Sequence, residues 1–155
     1  MHIIDEKFRA MWINYALQSA IAFFVVFLLL MVLTTLAELV VAAAIGSTAF
    51  IVFALPKSPT AKPRNVIGGH FVCVLIGWAC TVLFPQNFIL AAALAVGIAV
   101  FVMVTTNTEH PPAAGTAMGI VVAGFSPKLF LFVIFSALML SATKKILDPW
   151  LKDLL

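Results

Sequence analysis

The chain has 155 residues, 64% of them hydrophobic and 10% charged, with 14 Phe and a mean hydropathy of +1.18. Soluble domains run at about 45–50% apolar and about 25% charged, and one small core has no room for this much Leu, Val, Ala and Phe. A soluble domain is excluded, lipid is the expected solvent, and at about 20 residues per spanning helix the length admits one membrane domain with no soluble catalytic domain beside it.

The formal net charge of +3 reads as basic cytoplasmic loops, and no nucleic-acid partner is expected. Lys7 and Arg9 precede a first apolar run at 12–36, longer than the roughly 7–15 residues of a cleavable signal, so it is read as a span. Further runs follow at 39–55, 66–84, 88–106, 112–125 and 128–147. They are separated by Thr34-Thr35, a Pro-rich stretch from Lys57 to Arg64, Pro85-Gln86-Asn87, Asn107 to His110, and Ser126-Pro127-Lys128. The expected fold class is all-α, a polytopic transmembrane bundle of six spans, with the second and fifth short enough to be broken or re-entrant.

Charge placement favours six crossings over four. With a cytoplasmic N-terminus, six put Lys7, Arg9, Lys57, Lys62, Arg64, Lys144, Lys145 and Lys152 inside and only Lys128 outside, eight against one, where four crossings give five against four. The positive-inside bias therefore implies a multi-pass protein of the cell membrane with both termini cytoplasmic. Trp12 and Trp150 are then anchors at the inner interface, and Asp148-Pro149 is a possible start for a short interfacial helix in the tail 148–155.

Sliding the sequence against itself lays Gly46-Ser47-Thr48-Ala49-Phe50-Ile51-Val52-Phe53-Ala54 over Gly115-Thr116-Ala117-Met118-Gly119-Ile120-Val121-Val122-Ala123, an offset of 69. A single domain over 1–155 is expected, built from repeat 1 at about 12–84 and repeat 2 at about 88–147. Three spans per half make this a 3+3 inverted repeat, the arrangement transporters use to alternate access to a midplane site.

In Glu109-His110-Pro111-Pro112-Ala113-Ala114-Gly115-Thr116 a proline pair opens a small-residue helix, whose unpaired N–H groups and dipole favour an anion. The competing explanation is close packing, since Gly115, Gly119 and Ala123 follow a small-xxx-small pattern. Gly46, Ser47 and Thr48 are the counterpart in the first half, and with Gly115 and Thr116 they are the expected substrate path, two glycine-plus-hydroxyl sites facing each other. Hydroxyls bonding back to their own helix are the alternative. Glu109 and His110, with Pro111 and Pro112, are expected to gate or to transfer protons, whereas Glu38 is expected to be a solvated carboxylate at a helix start. Arg64, Asn65 and His70 follow the basic loop and are expected at a cytoplasmic entrance.

Gly69, Cys73 and Gly77 mark a narrow helix face. Cys73 and Cys80, seven apart on one helix, are too distant to pair. The three histidines are scattered along the chain, with no CxxC, Ser-His-Asp or phosphate-loop pattern, so no metal, no cofactor and no enzymatic activity is expected.

His110-Pro111-Pro112-Ala113, Ser58-Pro59, Pro63-Arg64-Asn65-Val66, Gly69-His70 and Gly46 with its small neighbours together resemble the HPP family of small integral membrane proteins. Lys62 departs from the family pattern, where glutamine is more usual. The resemblance implies four spans, C-terminal regulatory domains in some members, with none expected here, and in plastid and cyanobacterial relatives an association with nitrite transport. The expected function is a transporter or channel for a small inorganic anion such as nitrite, with protons as a candidate coupling ion. The alternative is a non-transporting subunit that docks a partner protein through residues 57–64. The expected partners are the lipid bilayer, the anion and further copies of the chain in a homo-oligomer.

Overall fold

The computed structural model describes residues 6–31 and 36–155. The expected break at Thr34-Thr35 lies outside them. Six helices follow in order, α1 (Glu6–Leu30), α2 (Leu36–Ala54), α3 (Pro63–Leu83), α4 (Phe88–Thr105), α5 (Pro111–Ala123) and α6 (Pro127–Leu147), with a 3-10 turn at Pro59–Ala61 and no strand among the described residues. Proline opens α3, α5 and α6, where its fixed φ suits a first turn and its missing N–H costs nothing. Asn87 and Ser126 cap α4 and α6 by accepting from the N–H of Leu90 and Leu129. Gly124, at φ +77°, ends α5 in a conformation that a side chain would strain.

Segments Lys7–Leu30, Pro63–Leu83, Phe88–Thr105 and Pro127–Leu147 are long and apolar enough to cross a membrane, and the shorter apolar helices are Glu38–Ala54 and Pro111–Ala123. Only the fifth element is short: α2 has 19 residues, one more than α4, which corrects the expectation of a short second element. At 1.5 Å per residue, the thirteen residues of α5 reach only about 20 Å, less than the roughly 30 Å of a hydrocarbon core. Its backbone ends must therefore be covered by protein. α5 accordingly packs against α2, α3 and α4, with Ala113, Thr116, Ala117, Gly119 and Ile120 buried. Large apolar side chains such as Phe23, Phe24, Phe101, Leu131 and Phe135 cover the outside, as befits a multi-pass protein whose surround is lipid.

Lipid tails solvate Leu and Phe as well as a neighbouring helix does, so association rests on close backbone approach. A Cβ on Gly77 would stand 2.5 Å from the Ala117 carbonyl oxygen and 2.9 Å from Ile120 Cβ, and one on Gly119 would meet Val41 Cγ2 at 2.9 Å. The face expected from Gly69, Cys73 and Gly77 is therefore a helix contact. Cys73 and Cys80 are both free and buried.

Contacts also fix direction. Gly69 meets His110 and Gly77 meets Ile120, so α3 and α5 run parallel. Gly119 meets Val41 while Thr48 meets His110, so α2 runs against α5. Lys128 bonds Glu38 at 2.9 Å, which puts the starts of α6 and α2 together. At the opposite end Asp148 lies 4.0 Å from Lys57 and 3.5 Å from Lys144. The bundle thus collects eight of its cations at one end, called here the basic end, and leaves Lys128 at the other. The main neighbours are α1 with α2 and α6, α4 with α5 and α3, α2 with α6, α5 with α3, α2 with α5, and α3 with α6. Exchanging α1, α2 and α3 for α4, α5 and α6 leaves that list of neighbouring pairs unchanged.

Two further expectations need correction. Glu38 stands in the first turn of α2 but is only 12% exposed and paired with Lys128, because α6 starts beside it. The tail after Pro149 is irregular instead of helical. Its backbone is captured elsewhere: the Leu154 N–H donates to the Ala54 carbonyl at 2.9 Å, an end carbonyl of α2 that helix geometry leaves unpaired. The Lys152 N–H donates to Gln18 Oε1 at 2.9 Å, and Gln18 Nε2 donates to the carbonyls of Lys152 and Phe53. Leu151 and Leu154 are buried beneath this strap, and Trp12 and Trp150 stay exposed.

Single cysteines placed at Lys57 and Lys128 should label from opposite sides of the membrane with an impermeant maleimide; labelling from one side would contradict this arrangement. Gly77→Ala should cost about 1–3 kcal/mol through overpacking, read as a lower unfolding midpoint in detergent. Gly97→Ala, which meets nothing within 4 Å, should not lower it.

Candidate functional site

Polar side chains enter the bundle where α2, α3 and α5 meet. Thr48 lies six residues before the end of α2, His70 seven residues into α3, His110 caps α5 and Thr116 lies six residues after it, so Thr48 and His70 sit about 10 Å below the ends of their helices. Thr48, His70, His110 and Thr116 are all fully buried, at 0% exposure. His70 Nδ1 lies 2.9 Å from Thr116 Oγ1, His70 Nε2 lies 2.8 Å from Thr48 Oγ1, and His110 Nε2 lies 3.0 Å from the same oxygen. His110 Nδ1 lies 2.8 Å from the Thr60 carbonyl oxygen, and the two imidazole centroids are 5.2 Å apart.

The Thr60 carbonyl can only accept, so His110 carries its hydrogen on Nδ1. In a neutral ring Nε2 is then bare and takes the Thr48 hydroxyl hydrogen. Having spent that hydrogen, Thr48 accepts from His70 Nε2–H, which leaves His70 Nδ1 to accept from the Thr116 hydroxyl. One carbonyl thereby sets the direction of the whole chain, Thr116 to His70 to Thr48 to His110 to Thr60. Every member is satisfied, as buried polar groups must be.

The local sequence makes this junction possible. A Cβ on Gly68 would stand 2.9 Å from Thr108 Cγ2, and one on Gly69 would stand 2.9 Å from His110 Cβ and 3.0 Å from the Thr108 carbonyl oxygen. Only glycines let the loop before α5 lie on the first turns of α3. Asn65 Nδ2 donates to the Glu109 carbonyl at 3.0 Å and Arg64 Nη2 to the Thr106 carbonyl at 3.1 Å, which fixes that loop. Ser58 Oγ accepts from the Thr60 N–H at 3.3 Å and holds the turn that presents the Thr60 carbonyl.

Of the residues singled out in the sequence, Thr48, Thr116, His70 and His110 come together. Ser47, Pro111 and Pro112 line a hollow of about 380 Å³ with Phe50 and Ile51, immediately beside the cluster. Ser47 also bonds back to the Ala43 carbonyl at 3.1 Å. A Cβ on Gly115 would stand 3.4 Å from Ala44 Cβ, and one on Gly46 would meet nothing within 4 Å. The two glycine sites therefore do not face each other, because the side chain of Ala44 occupies the crossing. His70 is not at an entrance: seven residues into α3 and fully buried, it belongs to the core of the cluster, and Arg64 and Asn65 tie the loop above it. The Glu109 carboxylate takes no part in the network, which uses the backbone carbonyl of that residue.

Forty residues separate His70 from His110 in sequence, yet the parallel pairing of α3 with α5 makes them neighbours. Their Nε2 atoms share a threonine oxygen, and no three His, Cys, Asp or Glu side chains converge among the described residues. Sequence reasoning passes over the Thr60 carbonyl and over Gln18, a buried amide on α1 that holds the tail. Gln18 had a visible signal as an amide isolated in an apolar run.

The HPP transmembrane-region profile matches residues 9–147, nearly the whole chain. The protein belongs to the HPP transmembrane family. A transmembrane protein of Dictyostelium discoideum is 42% identical over 76 residues, which cover 47% of this HPP protein and 27% of that relative. A second transmembrane protein of the same organism is 37% identical over 76 residues, covering 47% and 24%. The HPP chain thus aligns with about a quarter of the length of these curated relatives. No solved structure matches it.

Thr48→Val should cost about 1–3 kcal/mol, since it strands buried imidazole groups, and Thr48→Ser should restore most of that. Equal midpoints for the Val and Ser variants in detergent unfolding would contradict the network.

Proposed function

We propose that this HPP protein transports a small inorganic anion, nitrite or a species of similar size and charge. The observation that carries this reading is the opening of the short helix α5 beside an open hollow lined by Ser47, Phe50, Ile51, Pro111 and Pro112. Pro111 and Pro112 carry no N–H and the Ala113 N–H donates to the His110 carbonyl, so what favours negative charge at this start is the positive end of the helix dipole. Lys57, Lys62 and Arg64 stand at the same end and raise the local anion concentration. Between Glu38 and Asp148 the sole acid is Glu109, so the helices lack the intramembrane carboxylates with which cation pathways are built. The family resemblance, through its nitrite-associated members, points the same way.

The path in this reading passes Ser47 and Pro111-Pro112 and continues past Thr48 and Thr116, with Gly46 and Gly115 giving the helices room to shift. The two halves, 12–84 and 88–147, rock against each other about α2 and α5 and expose the site to either side in turn. The basic end faces the cytoplasm, by the positive-inside rule, and the membrane is the cell membrane. The working unit is a homo-oligomer, a dimer or trimer, and no enzymatic step or cofactor is part of the proposal.

Nitrite uptake into proteoliposomes tests it. Wild-type protein should give saturable uptake above protein-free vesicles, and Ser47→Phe, which fills the hollow from an exposed position, should abolish it without lowering the unfolding midpoint. Folded protein that moves neither nitrite nor nitrate nor chloride would contradict the proposal and favour a subunit that docks a partner.

A further inference from the structure

We infer that the His70–Thr48–His110 cluster is a proton-binding site, and that the proton it takes up is the coupling ion of the transported anion. The inference rests on the anion-transport reading. Its physical basis is that one set of atomic positions satisfies two protonation states.

In the neutral state the Thr48 hydroxyl donates to His110 Nε2, and every hydrogen in the chain has an acceptor. A second acceptor lies within reach of the same hydroxyl: the Ala44 carbonyl oxygen, one turn back on α2, is 2.9 Å from Thr48 Oγ1. When a proton adds to His110 Nε2, the imidazole becomes an imidazolium with hydrogens on both nitrogens. The Thr48 O–H then swings from Nε2 to the Ala44 carbonyl. Thr48 Oγ1 now accepts from His110 Nε2–H at 3.0 Å and from His70 Nε2–H at 2.8 Å. His110 Nδ1–H still donates to Thr60 and Thr116 still donates to His70. One proton has been gained, one hydroxyl has rotated, and no polar hydrogen is left unpaired. Release reverses both steps.

The charged state needs a counter-ion, because an unbalanced charge in a buried site is costly. None is built in. On α2 the acid Glu38 lies at the far end and is paired with Lys128. From Arg64, on its first turn, onward α3 carries no charged side chain, α4 and α5 carry none, and α6 carries its cations only at Lys128, Lys144 and Lys145. Beside the 3-10 turn stand the exposed cations Lys57 and Lys62, and the Glu109 carboxylate lies outside the network. The missing negative charge is supplied by the anion in the hollow at Pro111 and Pro112, which follow His110 directly in the chain. Proton and anion then each raise the affinity of the site for the other, and by the same factor.

The test uses vesicles that contain the whole protein and an entrapped pH dye, with nitrite and proton movement recorded together. Protein-free vesicles measure passive permeation of the undissociated acid. Wild-type protein should move protons with nitrite in a fixed ratio above that background. His110→Asn, which keeps a donor for Thr60 and removes Nε2, should lose the proton movement, and Thr48→Ser should retain it. Nitrite moving without protons in the wild type would overturn the proton site and leave the anion reading standing. Protons still moving with nitrite through His110→Asn would overturn the assignment to His110. Neither ion moving would overturn the anion reading and the proton site with it. The wild-type measurement decides the matter even where a variant fails to fold.

Discussion

The Thr48 hydroxyl lies between two imidazole nitrogens at 2.8 and 3.0 Å and one turn above a carbonyl of its own helix at 2.9 Å. Through it α2, α3 and α5 are tied to one another and, by way of His110, to the turn at Thr60. In a bundle surrounded by lipid an unpaired polar hydrogen has no water to turn to. The register of these three helices is therefore fixed by the need to satisfy four buried side chains at once. Apolar contacts alone would tolerate small slides; this network does not.

Glycine brings the helices close enough for the network to form. Gly68 and Gly69 admit the Thr108–His110 loop onto α3, Gly77 admits α5, and Gly119 admits α2. Each is a place where backbone, not side chain, makes the contact, the usual basis of helix association in membranes. α5 is then too short to span and is packed from Ala113 onward against its neighbours, while Pro111 stays exposed at the open hollow beside Ser47. A helix start, a basic end and a buried imidazole pair are thereby brought within a few residues of each other.

Much of the architecture was legible in the sequence. Six apolar runs, the shortness of the fifth, and prolines at the starts of α3, α5 and α6 follow from composition and from local rules about helix ends. The eight-to-one split of cations gave the two ends, and His-Pro-Pro with Pro-Arg-Asn and Gly-His gave the family. Thr48, Thr116 and His110 could be singled out because polar groups in apolar runs are few. Their mutual contact could not: pairing α3 with α5 in parallel is a tertiary fact, and only that pairing moves His70 from an expected entrance into the core beside His110. The fate of the tail was equally hidden. Pro149 offers a helix start, but the open carbonyl of Ala54 and the amide of Gln18 capture the following backbone first. Gly46 misled because its likeness to Gly115 suggested a matching role, while the side chain of Ala44 decides which glycine is packed.

Proton uptake at His110 depends on the direction of the hydrogen-bond chain, which the acceptor-only carbonyl of Thr60 sets. Nitrogen NMR of histidine-labelled protein in lipid bilayers, near neutral pH and without anion, tests that most directly. His110 should hold its hydrogen on Nδ1 and His70 on Nε2, with both rings neutral. A hydrogen on His110 Nε2 with a bare Nδ1 would contradict it, because the carbonyl of Thr60 would then face a lone pair and the chain would have no fixed sense.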